Sequence, residues 1–324
     1  MKYLATVFIL FAGLCNTTAQ IVPSEFEHIE YLVTFGEDGN SAWGDDDHVQ
    51  TFFFVIPKTF TAPVYIRVFD PETGGTLDEA NGAFDTKTRF SVYAGRGAHS
   101  HPDARRIDPT GNFKSGQLLY SKVFGNESKY NEQWHTFGPL NPLEGEESEK
   151  LAGYVFKIVA EGLEGNDGNL YRYFLSVNPD NNKEVEGSNA FTYEYSFRLP
   201  ESRKIVTHLY PFIDDRVVSF TQHNFDYDNE GDVFIYSIAK NRHEGTASVN
   251  LNWAKSKHFV TDEEKNTTVD IQLVKRKDSR NDMVMYLKNQ YDEAIAFFST
   301  PIGGPPKFKY KVDINYHPKS QNGN

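Results

Sequence analysis

Val49–Ile56 (VQTFFFVI), Gly153–Glu161 (GYVFKIVAE) and Asn169–Val177 (NLYRYFLSV) decide the fold. All three are short and rich in aromatic and β-branched residues, which suit a pleated, packed surface. None carries the 3.6-residue period of an amphipathic helix. The first is almost continuously apolar, as a strand buried on both faces would be. The other two flank the turn Gly162-Leu163-Glu164-Gly165-Asn166-Asp167-Gly168 and read as a hairpin with a longer loop.

Outward from these segments the same signal recurs, punctuated by Gly, Asn, Asp and Pro. Upstream, strands are expected at His28–Phe35, Pro63–Phe69, Arg89–Ala94, Leu118–Phe124 and Trp134–Phe137, and downstream at Ala190–Leu199. Pro200-Glu201-Ser202-Arg203 is polar and carries a strand-stopping proline. Beyond it come Ile205–Phe212, Arg216–Gln222, Asp232–Ala239, Ser248–Trp253, Thr267–Val274, Met283–Lys288 with Ala294–Ser299, and Phe308–Tyr316. Only Gly145–Leu151 and Thr261–Lys265 could make single helical turns. Coiled-coil and bundle architectures are therefore excluded, and no internal repeat of 20–50 residues is present.

A length of 324 residues suggests about two domains. The expected organisation is all-β: two β-sandwich domains after a leader. Residues 1–19 form a signal peptide. Residues 20–200 form an N-terminal sandwich of jelly-roll or C2-like type. Residues 204–317 form a C-terminal immunoglobulin-like sandwich, an assignment resting on strand count and spacing without the cysteine pair of antibody domains. Residues 318–324 are a polar tail.

The leader has a positive start at Lys2 and an apolar run, Leu4–Leu14, too short for a membrane span. Thr17 and Ala19 are small residues ahead of a cut before Gln20. An uncleaved anchor helix and a lipoprotein cut at Cys15 are the alternatives, the second opposed by the bulk of Leu14. Cys15 is the single cysteine. A mature chain from Gln20 would then have no disulfide, no thiolate metal site and no cysteine nucleophile. Export without disulfides fits a bacterial envelope. The sequons at Asn126 and Asn266 then have no consequence. The expected location is the periplasm, the outer-membrane surface or the medium.

Formal net charge is −12, and removal of residues 1–19 takes away only Lys2, leaving −13. Such a surface repels phosphate backbones, so nucleic-acid binding is excluded. The basic run Lys275-Arg276-Lys277 reads as a solvated strand end. Catalytic motifs are missing: no Gly-x-Ser-x-Gly elbow, no His-Glu-x-x-His, no phosphate loop. His99-Ser100-His101 has a spacing zinc could use but no third ligand in sequence. Trp43, Trp134 and Trp253 lie near turns and could form a sugar platform, although large aromatics commonly serve the core.

The acidic loops suggest a metal. Asp45, Asp46 and Asp47 lie between two strands. Asp70 ends PVYIRVF, and Glu72, Asp78, Glu79 and Asp85 follow in a glycine-rich loop. Asp167 and Asn169 sit at the expected hairpin tip. Clustered oxygen donors in inter-strand loops are what calcium takes, so the candidate metal set is Asp45, Asp46, Asp47, Asp70, Asp78, Glu79 and Asp167. The competing reading is ordinary turn chemistry. Asp226–Asp232 imitates the start of an EF-hand loop, but Ser237 stands at the twelfth position and strand-like residues follow. It reads as a turn.

The strings YLVTFGEDGNSAWGDDD, FFFVIPK, YIRVFDPETGG, FDTKTRFSVY, GNFKSGQLL, WHTFGPLNPLEGE, GNLYRYFLS and NAFTYEYSFRL resemble an extracytoplasmic region of Bacteroidota envelope proteins. That region often precedes an OmpA-like peptidoglycan-binding domain. The resemblance runs from about Tyr31 to Leu199 and weakens to about Tyr316. It implies an envelope setting and carries no site residues. The chain leaves no room for an OmpA-like domain before Asn324, so peptidoglycan anchoring is not implied. The expected function is a non-enzymatic secreted or envelope binding or structural module, with calcium as its only expected cofactor and a glycan or protein as its partner. The alternative is a glycan- or peptide-acting enzyme whose site only the fold assembles, recognisable as a concave pocket with convergent acids and a perturbed carboxylate or histidine.

Overall fold

The structure, a computed structural model, describes residues 21–40, 42–44, 48–105, 107, 113–228 and 231–303. The leader, Asp45–Asp47 and the expected strand Phe308–Tyr316 lie outside the described residues. The described chain is all-β and antiparallel, and its helical content is three short 3-10 turns at Pro102–Arg105, Pro142–Glu144 and Asp262–Glu264.

Two large sheets face each other. One runs Phe297–Phe298, Asn189–Thr192, Val49–Pro57, Gly153–Glu164, Lys87–Ala94, Gln117–Phe124, with Glu146–Ser148 beside the start of Gly153–Glu164. The other runs Trp253–Phe259, Ser219–Phe225, Asn281–Asn289, Glu194–Leu199, Tyr31–Phe35, Gly168–Ser176, Val64–Phe69, Trp134–Leu140. Alternation decides which side chains meet. Phe52, Phe54, Ile56, Phe90, Val92, Phe156 and Ile158 from the first sheet share one core with Leu32, Ile66, Val68, Tyr171 and Tyr173 from the second. Edge-on ring pairs cross the gap: Phe52 to Tyr173 at 5.8 Å and Phe90 to Tyr171 at 5.0 Å. The C-terminal end of the second sheet is covered by a four-stranded sheet, Thr207–Leu209, Asp270–Lys275, Gly231–Tyr236, His243–Glu244.

The chain passes Pro200–Arg203 in a loop, but hydrogen bonding does not stop there. Glu194–Leu199 pairs with Tyr31–Phe35 on one side and with Asn281–Asn289 on the other. Phe297–Phe298 returns to pair with Asn189–Thr192. Both large sheets therefore carry strands from both sides of the loop. The buried pair Arg198–Asp282 faces across that joint, with Nε to Oδ1 and Nη2 to Oδ2 both at 2.7 Å.

Three local expectations are corrected. Gly153–Glu161 and Asn169–Val177 do not form a hairpin, because their strands belong to opposite sheets. The turn between them is an arch. Its backbones touch: a Cβ on Gly162 would lie 2.0 Å from the Phe35 carbonyl oxygen. Both strands are buried on both faces over most of their length, which suits two sheet interiors better than a solvated hairpin. Second, Ser248–Asn252 is a turn and the strand is Trp253–Phe259. Its exposed, lysine-bearing edge hides it from a search for apolar runs. Third, the segment Gly145–Leu151, expected to make a helical turn, contains the strand Glu146–Ser148, and the 3-10 turn Pro142–Glu144 lies wholly before it. Asn141 accepts from Leu143 N at 3.1 Å and Glu144 reaches back to Asn141 N at 3.1 Å.

Candidate functional site

Two places gather chemistry. The first is the turn after Val64–Phe69. Asp70 is fully buried with a left-handed φ of 53°. Its Oδ1 accepts from Glu132 N at 2.7 Å. Glu72, also fully buried, accepts at Oε2 from Glu127 N at 3.0 Å. Asp78 accepts at Oδ2 from Gly74 N at 2.7 Å and at Oδ1 from Leu170 N at 2.6 Å. Asn169 donates through Nδ2 to Pro71 O at 3.0 Å, placing its side chain against the turn.

What remains is a set of buried oxygens that no protein donor reaches: Asp70 Oδ2, Glu72 Oε1, Thr73 Oγ1, Asn131 Oδ1 and Asn169 Oδ1. Gly75 makes room for one of them. It sits at φ 68°, and a Cβ there would lie 1.7 Å from Asn131 Oδ1. Burial pushes the Asp70 carboxyl up to about 7, against the pull of Glu132 N–H, with the Glu72 and Glu132 charges adding to the rise. Glu72 is raised, and Asp78 well raised, by the same burial, and the charges of Asp70 and Glu72 add to the rise at Asp78. These three carboxylates therefore share one neighbourhood.

The other expected metal residues are elsewhere. Glu79 turns to the Arg198 guanidinium. Asp167 caps the loop ahead of Lys87–Ala94, accepting from Asn81 N at 2.9 Å, Asp85 N at 2.9 Å and Thr86 N at 3.2 Å. Asp45, Asp46 and Asp47 lie outside the described residues. Asn131 and Thr73 carried no signal in sequence. Asn169 carried one, a polar side chain at the head of a strand that is otherwise apolar on both faces. Among the described residues no three His, Cys, Asp or Glu side chains are grouped to hold a metal ion.

The second place is a cleft of about 930 Å³ where the first sheet meets the C-terminal segments. Its accessible floor is apolar: Leu151, Tyr193, Phe212, Ala296 and Ile302 pack on buried Phe191 and Phe298. Six of the charged side chains at the rim pair with one another, and Arg105 and Asp215 line the cleft as well. Lys150 Nζ lies 2.9 Å from Asp214 Oδ2, Arg216 spans Asp214 and Glu293 at 3.3 and 3.2 Å, and Lys288 meets Asp292 at 3.2 Å.

His99 stands at the edge of this cleft. Its ring lies 5.3 Å from Phe53 and 5.4 Å from Phe191, and its Nε2 is 2.9 Å from Tyr193 Oη. Burial lowers it to about 4, with the Arg105 charge contributing, so the ring is neutral. His101 points instead toward Asp103, half-exposed, so the two imidazoles do not converge. Glu146 organises the intervening loop by accepting from the N–H groups of Gly97, His99 and Ser100. The tryptophans are scattered: Trp43 beside Phe35, Trp134 under Arg67 and Trp253 beside Phe225. They build no common platform.

No family model matches the chain, and no curated protein matches it.

Proposed function

We propose that the protein is an exported, non-enzymatic binding module whose ligand is an extended peptide segment of a partner protein, seated in the cleft lined by Leu151, Tyr193, Phe212, Ala296 and Ile302. The observation that carries this reading is an apolar floor within a rim where six of the charged side chains pair with one another. A glycan needs polar groups free to meet its hydroxyls. Here the larger gain lies in covering apolar side chains, at about 25 cal/mol per Å² removed from water. A volume of about 930 Å³ is at the upper end of pockets that enclose one ligand, and it accommodates a few residues of chain. The leader-like start and the envelope resemblance support the exported setting.

The enzyme alternative draws on the cleft's histidine, but the chemistry around it is quiet. The Nε2 of His99 is engaged by Tyr193. Burial would raise Asp214, yet the Lys150 and Arg216 contacts outweigh it and hold its carboxyl below the usual range. A general acid needs the opposite shift. The raised carboxyls of Asp70, Glu72 and Asp78 belong to the other site.

Random-peptide display and a glycan array, screened in parallel against the full chain, test the proposal, with every hit then assayed for turnover. Peptide hits carrying an apolar residue, recovered intact and lost in Leu151→Asp, are expected. Binding confined to glycans, or a hit that is consumed, would overturn it.

A further inference from the structure

We propose that the turn following Val64–Phe69 is a calcium site, with Asp70 and Glu72 supplying the charge and Thr73, Asn131 and Asn169 supplying neutral oxygens. The proposal is independent of what occupies the cleft. It rests on acceptors that have been buried without donors. A buried carboxylate oxygen or amide carbonyl with nothing to accept from is costly, and more so when the group is charged. Native proteins rarely keep several such groups side by side. Here five oxygens from three separate segments, 70–73, 131 and 169, are in that state at one turn. Asp70, Glu72, Thr73 and Asn169 are each completely buried.

The loop is shaped to leave them that way. Each of the two carboxylates gives one oxygen to a main-chain N–H, of Glu132 or Glu127, and keeps the other free. Asp78 has both oxygens engaged, by Gly74 and Leu170 N–H, so it positions the turn and does not ligate. Asn169 spends its amide N–H on Pro71 O, which fixes its carbonyl as the remaining acceptor. Gly75 keeps the space into which the Asn131 carbonyl points.

The chemistry selects the ion. Every candidate ligand is oxygen, and none is sulfur or imidazole, which disfavours zinc and copper. Two carboxylates match one divalent charge. Calcium takes 6–8 oxygens, amide carbonyls included, in adaptable geometry, whereas magnesium demands a near-ideal octahedron and keeps its waters. Only two of the ligands are acids. This explains why no group of three His, Cys, Asp or Glu side chains marks the site.

The test uses the full chain. Calcium is titrated by calorimetry after chelator treatment, and thermal melts are recorded with calcium, with magnesium, and with sodium chloride at equal ionic strength. One bound calcium per chain is expected. Calcium should raise Tm, chelator should lower it, and sodium chloride should not imitate calcium. Glu72→Gln and Asp70→Asn should lose binding while melting, in chelator, no lower than the parent, since each removes a buried charge. Asp78→Asn should weaken affinity about 10–100-fold, as a group that orients ligands does. Asp167→Asn, which caps a different loop, should keep the affinity unchanged. The proposal is overturned if Tm is indifferent to calcium and rises only as pH falls, because protons then serve the cluster. It is equally overturned if calcium binds with undiminished affinity to both Glu72→Gln and Asp70→Asn.

Discussion

Replacing Arg198 with Met should destabilise the protein by about 3–5 kcal/mol, the range for stripping one partner from a buried pair. Arg198 and Asp282 are 5% and 7% exposed. Their two hydrogen bonds, both 2.7 Å, form a bidentate fork across the joint between Glu194–Leu199 and Asn281–Asn289. Burial works against the charge on the guanidinium, but Asp282 and Glu79 together outweigh it and hold the group more firmly charged than usual. Methionine fills much of the volume but donates nothing, so buried Asp282 loses both hydrogen bonds and its nearest counter-charge, with only the more distant Arg280 remaining. Two charge-assisted bonds at roughly 1.5–3 kcal/mol each give a similar figure. At about 2–4 °C per kcal/mol, Tm should fall by roughly 10 °C. Urea unfolding followed by tryptophan fluorescence and far-UV circular dichroism measures the loss. A double-mutant cycle completes it: Arg198→Met with Asp282→Leu should recover most of the stability, because a packed apolar pair removes the stranded charge. A loss below about 1 kcal/mol in the single variant would refute the reasoning, since only a solvated pair is worth so little. Failure of the double variant to recover would show that the joint needs the ions for its geometry.

Asp167→Asn should cost about 2–4 kcal/mol, because an amide nitrogen then faces at least one of the N–H groups of Asn81, Asp85 and Thr86. Hydrogen exchange at those three amides should speed up, and unchanged exchange would mean that other contacts hold the loop. Glu27 is buried with Ser24 N at 2.6 Å and Tyr195 Oη at 3.0 Å, and burial raises its carboxyl to about 8 from an ordinary 4.5. The folded state thus keeps a proton that the unfolded state releases, so this group's contribution is full below about pH 4.5 and is lost as pH rises toward 8. Glu27→Gln cannot titrate, so its Tm relative to the parent should climb between pH 5 and pH 8, a window set by that shift, and parallel curves for the two proteins would contradict the assignment.

The strands were legible because their cause is local. VQTFFFVI announces burial on both faces, and the structure sets Val49–Pro57 between two neighbours with its central residues buried. The partner of each strand was less legible. Apolar runs joined by a glycine-rich turn have the same appearance whether they pair in one sheet or pass between two. The arch at Gly162–Gly168 is decided by backbone contact with Phe35 and by the Asp167 cap, both formed with residues far away in sequence. Trp253–Phe259 was displaced for the opposite reason. As an outer strand it keeps lysines and an exposed Phe259, so the apolar signal that marks inner strands is absent.

The acidic loops show where sequence reading divides from structure. Asp70, Asp78, Glu79 and Asp167 are alike as letters: acids beside glycines at strand ends. The fold separates them by what their oxygens meet. Asp167 is filled by three N–H groups and is a cap. Asp78 is filled by two and shapes a turn. Glu79 faces an arginine. Only Asp70 keeps a buried oxygen that no protein donor reaches, and it keeps it beside Glu72 and the carbonyls of Asn131 and Asn169. A carboxylate saturated by N–H groups already has its positive partners and gains little from a cation. A carboxylate half-saturated among other acceptors has a lone pair that only a proton or a cation can serve. Donor saturation is thus the property that distinguishes a ligand from a cap. It depends on neighbours 55 to 98 positions away, from Glu127 for Glu72 to Pro71 for Asn169, so no local pattern of acids and glycines can encode it.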